Sequence, residues 1–232
     1  GVAPCHFWYP SVMMSISWMN CLILSTWQKL APLSLLMTIS YKSNSESSLM
    51  MVAAINTLIG GIMGINQTHM RSLLAYSSIG HMGWMVSMLS INKIIPSILY
   101  FIMYSIIVIP VFLVMNASNS KSIKSMYNSF KNSMMKSIML IMSMLSLAGI
   151  PPLTGFMPKL LVMFSMMSSK FYILLIPLII GSYMNLYYYM NIALNMVMMN
   201  PISSYSTKSN NSLSLMFIAG TSMLGIFPLM ML

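Results

Sequence analysis

Lys159 closes the segment LAGIPPLTGFMPK, Leu147 to Lys159, in the middle of an apolar run. Within that segment Pro151, Pro152 and Pro158 lack backbone donors, and Gly149 and Gly155 lack side chains, so helical bonding is interrupted where a membrane span is expected. A charge beside such a break points to an ion or proton pathway, because free carbonyls and half-helix ends solvate a charge that lipid does not. If Pro158 opens the second half-helix, the Lys159 ammonium sits near a positive helix end, while the first half-helix, ending near Gly149, presents carbonyls to it. The plainer alternative is a lysine that anchors the break structurally. Lys29, in TWQKLAP, lies far from both ends of its own apolar run, where insertion of a lysine costs about 2.5–3.5 kcal/mol. Such a side chain either snorkels to the headgroups or serves a function, and its central position favours function. Pro32, three residues on, is expected to bend the helix and bare carbonyls near the amine. His81, in AYSSIGHMGWM, has Ser77 and Ser78 one turn earlier. A lone histidine among apolar residues is more often a satisfied core group than a relay, but between two lysine-bearing spans the relay gains weight. His6 stands in GVAPCHFWYP, a weaker echo of the break, and paired interrupted segments are a sign of repeat-built transporters.

Other chemistry is scarce. Glu46 is the only acidic residue, so the chain holds no carboxylate pair for acid–base work or for a metal. Cys5 and Cys21 form no CxxC pattern, and with His6, His69 and His81 scattered there is no zinc, haem or iron–sulfur spacing. The 32 methionines read as flexible apolar filling against lipid, with copper binding as the less favoured alternative.

The elements that must position these groups are membrane helices. The 232 residues are 58% hydrophobic and only 5% charged, with mean hydropathy +0.82, which excludes an ordinary water-soluble domain. A net charge of +10 suggests nucleic acid in a soluble protein, but most of the 11 basic residues fall between apolar runs, which fits membrane topology instead. The expected fold is an all-α transmembrane bundle of about seven spans with one discontinuous helix. The runs lie at about Val12–Ile39, Leu49–Ile65, Ser72–Leu89, Ile94–Met115, Ser137–Met167, Phe171–Met199 and Leu213–Leu232, the fifth being too long for one span and carrying the break. The sixth contains the cluster Tyr183, Tyr187, Tyr188 and Tyr189, and a Ser/Asn/Pro-rich linker, Asn200–Asn211, follows it. Alternate crossings put Arg71, Lys121, Lys124, Lys131, Lys136 and Lys208 on one face and Lys42, Lys93 and Lys170 on the other, so the six-charge face is cytosol-equivalent. Ser118–Asn132 is basic and polar enough to lie on the membrane surface, either touching anionic phospholipid headgroups or simply solvated. The opening GVAP has no initiating Met and no signal-peptide pattern, and the expectation is that the N-terminus is incomplete.

Four islands, Ala3–Pro10 (APCHFWYP), Thr26–Pro32 (TWQKLAP), Ile65–Met85 (INQTHMRSLLAYSSIGHMGWM) and Leu147–Lys159, together resemble the chain 2 family of antiporter-like membrane subunits of mitochondrial NADH:ubiquinone oxidoreductase, respiratory complex I. Their order and spacing match, the resemblance extends at lower identity through the tyrosine cluster, and the tail after Met199 is not diagnostic. The Met-, Ser- and Asn-rich composition also resembles that of products of AT-rich animal mitochondrial genomes. The resemblance implies two inverted five-helix repeats, each with one broken helix. Residues 1–43 would end the first repeat, 44–199 form the second, and 200–232 form a linker and final helix, all in one membrane domain. Ala3–Pro10 would lie at the first break, with Gly1 inside it. Lys29 and Lys159 would be proton-path lysines, with His81 at a polar position between them. Ser11 departs from the family's usual acidic residue, and a lysine before Gly1 and its glutamate partner are not in the chain. The implied activity is proton translocation coupled to electron transfer from NADH to ubiquinone. The chain would act as a non-redox subunit without a complete active site, beside other membrane-arm subunits and phospholipids, with no nucleic acid. NADH, FMN, iron–sulfur clusters and ubiquinone would be bound elsewhere in the complex, and no cofactor in this chain. The implied location is the mitochondrial inner membrane, multi-pass, with the Lys-rich loops to the matrix and the C-terminus to the intermembrane space. Two rivals remain: a subunit of a multisubunit monovalent cation/proton antiporter, and a purely structural scaffold. TWQKLAP and LAYSSIGHMGWM together favour complex I.

Overall fold

The computed structural model describes residues 1–42, 46–120, 122–130, 134–151 and 153–199. The expected linker and last span, together with Lys121, Lys131, Lys208 and Pro152, lie outside these residues. The described elements are all helices: α1 (Trp8–Ser15), α2 (Trp18–Ser25), α3 (Trp27–Lys42), α4 (Glu46–Ile65), α5 (Met70–Leu89), α6 (Ile94–Ser118), α7 (Ile123–Phe130), α8 (Met134–Ala148), α9 (Phe156–Ser168) and α10 (Tyr172–Met199). Four stretches are long and apolar enough to cross a membrane: Trp18–Ser40, Glu46–Ile65, Ile94–Ser118 and Tyr172–Met198. At 25 residues α6 is about 37 Å long, enough to pass a hydrocarbon core of about 30 Å.

α5 is the hub. It packs against α4 above all, and also against α1, α6, α9, α10, α2 and α3. Every one of its residues except Tyr76 is buried, including Arg71, four serines and His81. Those polar residues make it less apolar than the other long helices, which it can tolerate because protein rather than lipid surrounds it. The α4–α5–α10 contact is made through small residues: Gly60 and Gly64 of α4 meet Gly80 and Tyr188, and Gly61 meets Gly181. Such positions let backbones approach closely where lipid supplies no hydrophobic drive for helix association.

The run expected as one span from Val12 to Ile39 is instead three helices. Ile16 and Ser17 are extended, with ψ of 160° and 159°, and Thr26 separates α2 from α3. The break between α1 and α2 persists because its carbonyls have partners from elsewhere in the fold. The Arg71 guanidinium donates to Met14 O at 3.0 Å and also to Ile16 O, and the Cys21 thiol donates to Met13 O at 3.4 Å. Arg71, expected on a charged loop face, is therefore a buried cap on the end of α1, stacked 5.3 Å from the Trp18 ring. Ser118–Asn132 contains the short α7, whose Met126 and Phe130 are buried, and the backbone of Ile123 and Ser122 is tied to Thr68 and His69.

Candidate functional site

The broken helix is built by its own residues. α8 ends at Ala148, and Gly149 takes φ +80°, the left-handed conformation that a side chain disfavours. Gly149 N–H then donates to Ser146 O at 3.1 Å and Ile150 N–H to Leu145 O at 3.5 Å, the reciprocal pair of a Schellman ending. The chain turns through Pro151 and Leu153 and restarts as α9 at Phe156. Gly155 passes so close to the Ser146 carbonyl that a Cβ there would collide with it. Pro158, expected as the first helical residue, is the third, still within the turn whose donors have no intrahelical partner.

Lys159 follows on the next position, 4% exposed, and its ammonium donates to Ala148 O at 2.8 Å. That carbonyl belongs to the negative end of α8, so the two half-helices are joined through one lysine. The methylenes and amine of Lys159 also fill the space over Gly149.

Lys29 is equally buried and is held differently. Among the described residues its ammonium has no hydrogen-bond partner, and it lies 5.3 Å from the centre of the Tyr9 ring and 5.1 Å from that of Tyr104. Pro32 does sit inside α3, yet the carbonyls expected near the amine are not its partners; aromatic faces are. His81 lies beyond Tyr104, with ring centres 5.0 Å apart. Its Nδ1 shares a 3.0 Å hydrogen bond with the Tyr100 hydroxyl, while Nε2 is buried without a partner among the described residues. A small cavity lies between His81, Tyr100 and Tyr104 on one hand and Ser146, Gly155 and Pro158 of the break on the other, with room for about one water molecule.

The three basic residues found from the sequence thus lie on three helices, α3, α5 and α9, around one polar interior. Lys29 and His81 are both brought against the Tyr104 ring. No direct hydrogen bond joins His81 to Lys159 among the described residues, and the cavity lies between their helices. Glu46 is exposed at the start of α4, and no group of three metal-binding side chains occurs among the described residues. Among the described residues His6 is buried with Nδ1 lacking a partner, and no hydrogen bond or ring contact joins it to Lys29 or His81.

Sequence reasoning passed over Tyr9, Tyr100 and Tyr104. Tyr100 and Tyr104 were findable as two tyrosines four apart, on one face of a predominantly apolar helix. The cluster on α10 divides: Tyr183 and Tyr187 are exposed, whereas the Tyr189 hydroxyl donates to Ser77 Oγ at 2.7 Å and that of Tyr188 donates to Asn185 Oδ1 at 3.0 Å. Ser77 therefore ties α5 to α10 and not to His81.

Residues 1–185 match the family described as NADH:quinone oxidoreductase/Mrp antiporter, TM. The chain is 47% identical to NADH-ubiquinone oxidoreductase chain 2 of Lumbricus terrestris, over 100% of this chain and 69% of that protein. It is 40% identical to the chain 2 protein of Locusta migratoria, over 86% of this chain and 57% of that one. Its fold resembles a chain in the respiratory complex I structure from Thermus thermophilus, with TM-score 0.82 at 22% identity, covering 98% of this chain and 53% of the other. The chain thus spans between about half and about two thirds of the length of these proteins.

Proposed function

Because the chain belongs to the NADH:quinone oxidoreductase/Mrp antiporter transmembrane family and is related along its whole length to NADH-ubiquinone oxidoreductase chain 2, we propose that it is a proton-translocating membrane-arm subunit of NADH:ubiquinone oxidoreductase. Lys29, His81 and Lys159 are its proton-carrying groups. The observation that carries this reading is their placement. Three basic side chains are buried in the interior of a membrane bundle, without an acidic neighbour among the described residues, around Tyr104 and a water-sized cavity. Charges in such a setting are costly, and their retention is explained by function more readily than by stability.

In this reading redox energy released in other subunits moves protons along the three groups. Lys159 is suited to a change of charge because its acceptor is a carbonyl at the end of a half-helix: a small displacement of α8 against α9 adds or removes the one hydrogen bond that favours the ammonium. His81 has one ring nitrogen committed to Tyr100 and the other free toward its surroundings, the arrangement a relay needs. NADH, flavin, iron–sulfur clusters and ubiquinone would be held by other subunits. The neighbours of this chain would be other membrane-arm subunits and phospholipids of the mitochondrial inner membrane, with α7 and Lys124 toward the matrix.

The test is Lys159→Ala in the assembled complex, reconstituted into liposomes. Proton pumping and coupled quinone reduction are expected to fall while the amount of assembled complex is unchanged. Full pumping by that variant would sink the reading and leave a structural scaffold. The cation/proton antiporter reading is separated by the same preparation, through co-purification with the NADH-oxidising arm.

A further inference from the structure

A buried lysine usually finds an acid or a carbonyl, as Lys159 does. Among the described residues Lys29 has neither, although it is only 8% exposed and its ammonium is fully enclosed. What surrounds it is the rings of Tyr9 from α1 and Tyr104 from α6, at 5.3 and 5.1 Å, both within the range at which a ring's negative face attracts a cation. That attraction acts on the ammonium and hardly on the neutral amine, and it strengthens as water is excluded. Tyr104 contacts the His81 ring as well, centre to centre at 5.0 Å and tilted by 43°. One ring therefore touches two proton-carrying groups at once.

We propose that the rings of Tyr9 and Tyr104 form an aromatic cage that takes the place of a hydrogen-bond acceptor for the Lys29 ammonium, with Tyr104 a positioning residue between Lys29 and His81. The proposal rests on the proton-path reading above. The cage supplies charge stabilisation without a fixed hydrogen bond, so the amine is free to turn its protons toward a neighbour. Lys29 and His81 both lie against this ring, so a positive charge on one disfavours a positive charge on the other, and Lys159 acts on His81 in the same sense. The titratable groups facing Lys29 are Tyr9 on α1, His81 on α5 and Tyr104 on α6, with the Gly1 amine ahead of α1, and no acid faces it among the described residues.

The experiment is the pH dependence of proton pumping by the whole complex in liposomes, comparing the parent with Tyr104→Leu and Tyr104→Phe. Leucine fills much of the space but has no ring face, and is expected to move the alkaline limb of the profile to lower pH by about one unit, tenfold in proton activity. Phenylalanine keeps the face and loses only the hydroxyl, and is expected to restore the parent profile. A Tyr104→Leu profile superimposed on the parent's, or a Tyr104→Phe profile displaced as far as that of Tyr104→Leu, overturns the cage. If Tyr104→Leu does not assemble, Tyr9→Leu and Tyr9→Phe carry the same comparison. Lys29→Met, measured alongside, separates the two ideas. Full pumping by it overturns the proton-path reading and the cage with it, whereas lost pumping together with an unmoved Tyr104→Leu profile overturns the cage alone.

Discussion

Lys29 and Lys159 are the same residue type, buried to nearly the same degree, and their surroundings solve the burial of a cation in two ways. Lys159 has a carbonyl and Lys29 has two ring faces. Removing the charge from either has a defined expectation. Lys29→Met in the assembled complex lowers the number of protons moved per NADH oxidised, and an unchanged stoichiometry removes Lys29 from the path. His81→Phe keeps an aromatic ring in place but carries no proton, so pumping should drop about a hundredfold or more, the low end of what a positioned proton-transfer group contributes. Initial rates of acidification in liposomes measure this, and a rate equal to the parent's would leave His81 a satisfied core residue. These residues were visible in the sequence because a charge or an imidazole in an apolar run is conspicuous. Tyr9, Tyr100 and Tyr104 were not, because a tyrosine is ordinary in a membrane helix until its neighbours are known.

The broken helix is specified locally, down to single atoms of two glycines. Gly149→Ala forces a side chain into φ +80° and should cost about 1–2 kcal/mol. Gly155→Ala meets the Ser146 carbonyl directly and should be the more damaging of the two. The yield of intact complex on native gels ranks them, and equal yields would show that the close approach at Gly155 is not needed. The second break, between α1 and α2, depends on a different helix. Arg71→Met leaves the carbonyls of Met14 and Ile16 without their cap and should cost about 1–3 kcal/mol, read as faster thermal inactivation of the complex. Inactivation at the parent's rate would mean that water replaces the guanidinium. Proline and glycine announced the first break in the sequence. Nothing local announced the second, since Ile16 and Ser17 are compatible with a helix and only Arg71, 55 residues from Ile16, provides the reason to leave one.

At the scale of the molecule, α6 carries the chain from the Lys93 end of the bundle to the α7 end. Lys93 reaches across its end to Ser168 at 3.0 Å, closing α9 against the start of α6, while α7 lies at the other end against the loop before α5. If α7 faces the matrix, as proposed, Lys124→Cys should react with an impermeant thiol reagent from the matrix side and Lys93→Cys only from the opposite side. Reaction of both from one side would contradict the crossing. Composition and hydropathy alone determined that this is a helical membrane protein, because burying unbonded backbone in lipid leaves few other solutions. Residue type and spacing also determined where one helix breaks and which basic side chains are out of place, since proline, glycine and charge act through covalent structure and desolvation that need no partner. The tertiary structure decided what those side chains meet. It alone made α5 a helix enclosed by protein, turned Arg71 from a loop charge into a cap, and set Lys29 against two rings and Lys159 against a carbonyl. Each of these is a contact between residues far apart in the chain, and packing geometry, not local propensity, chooses it.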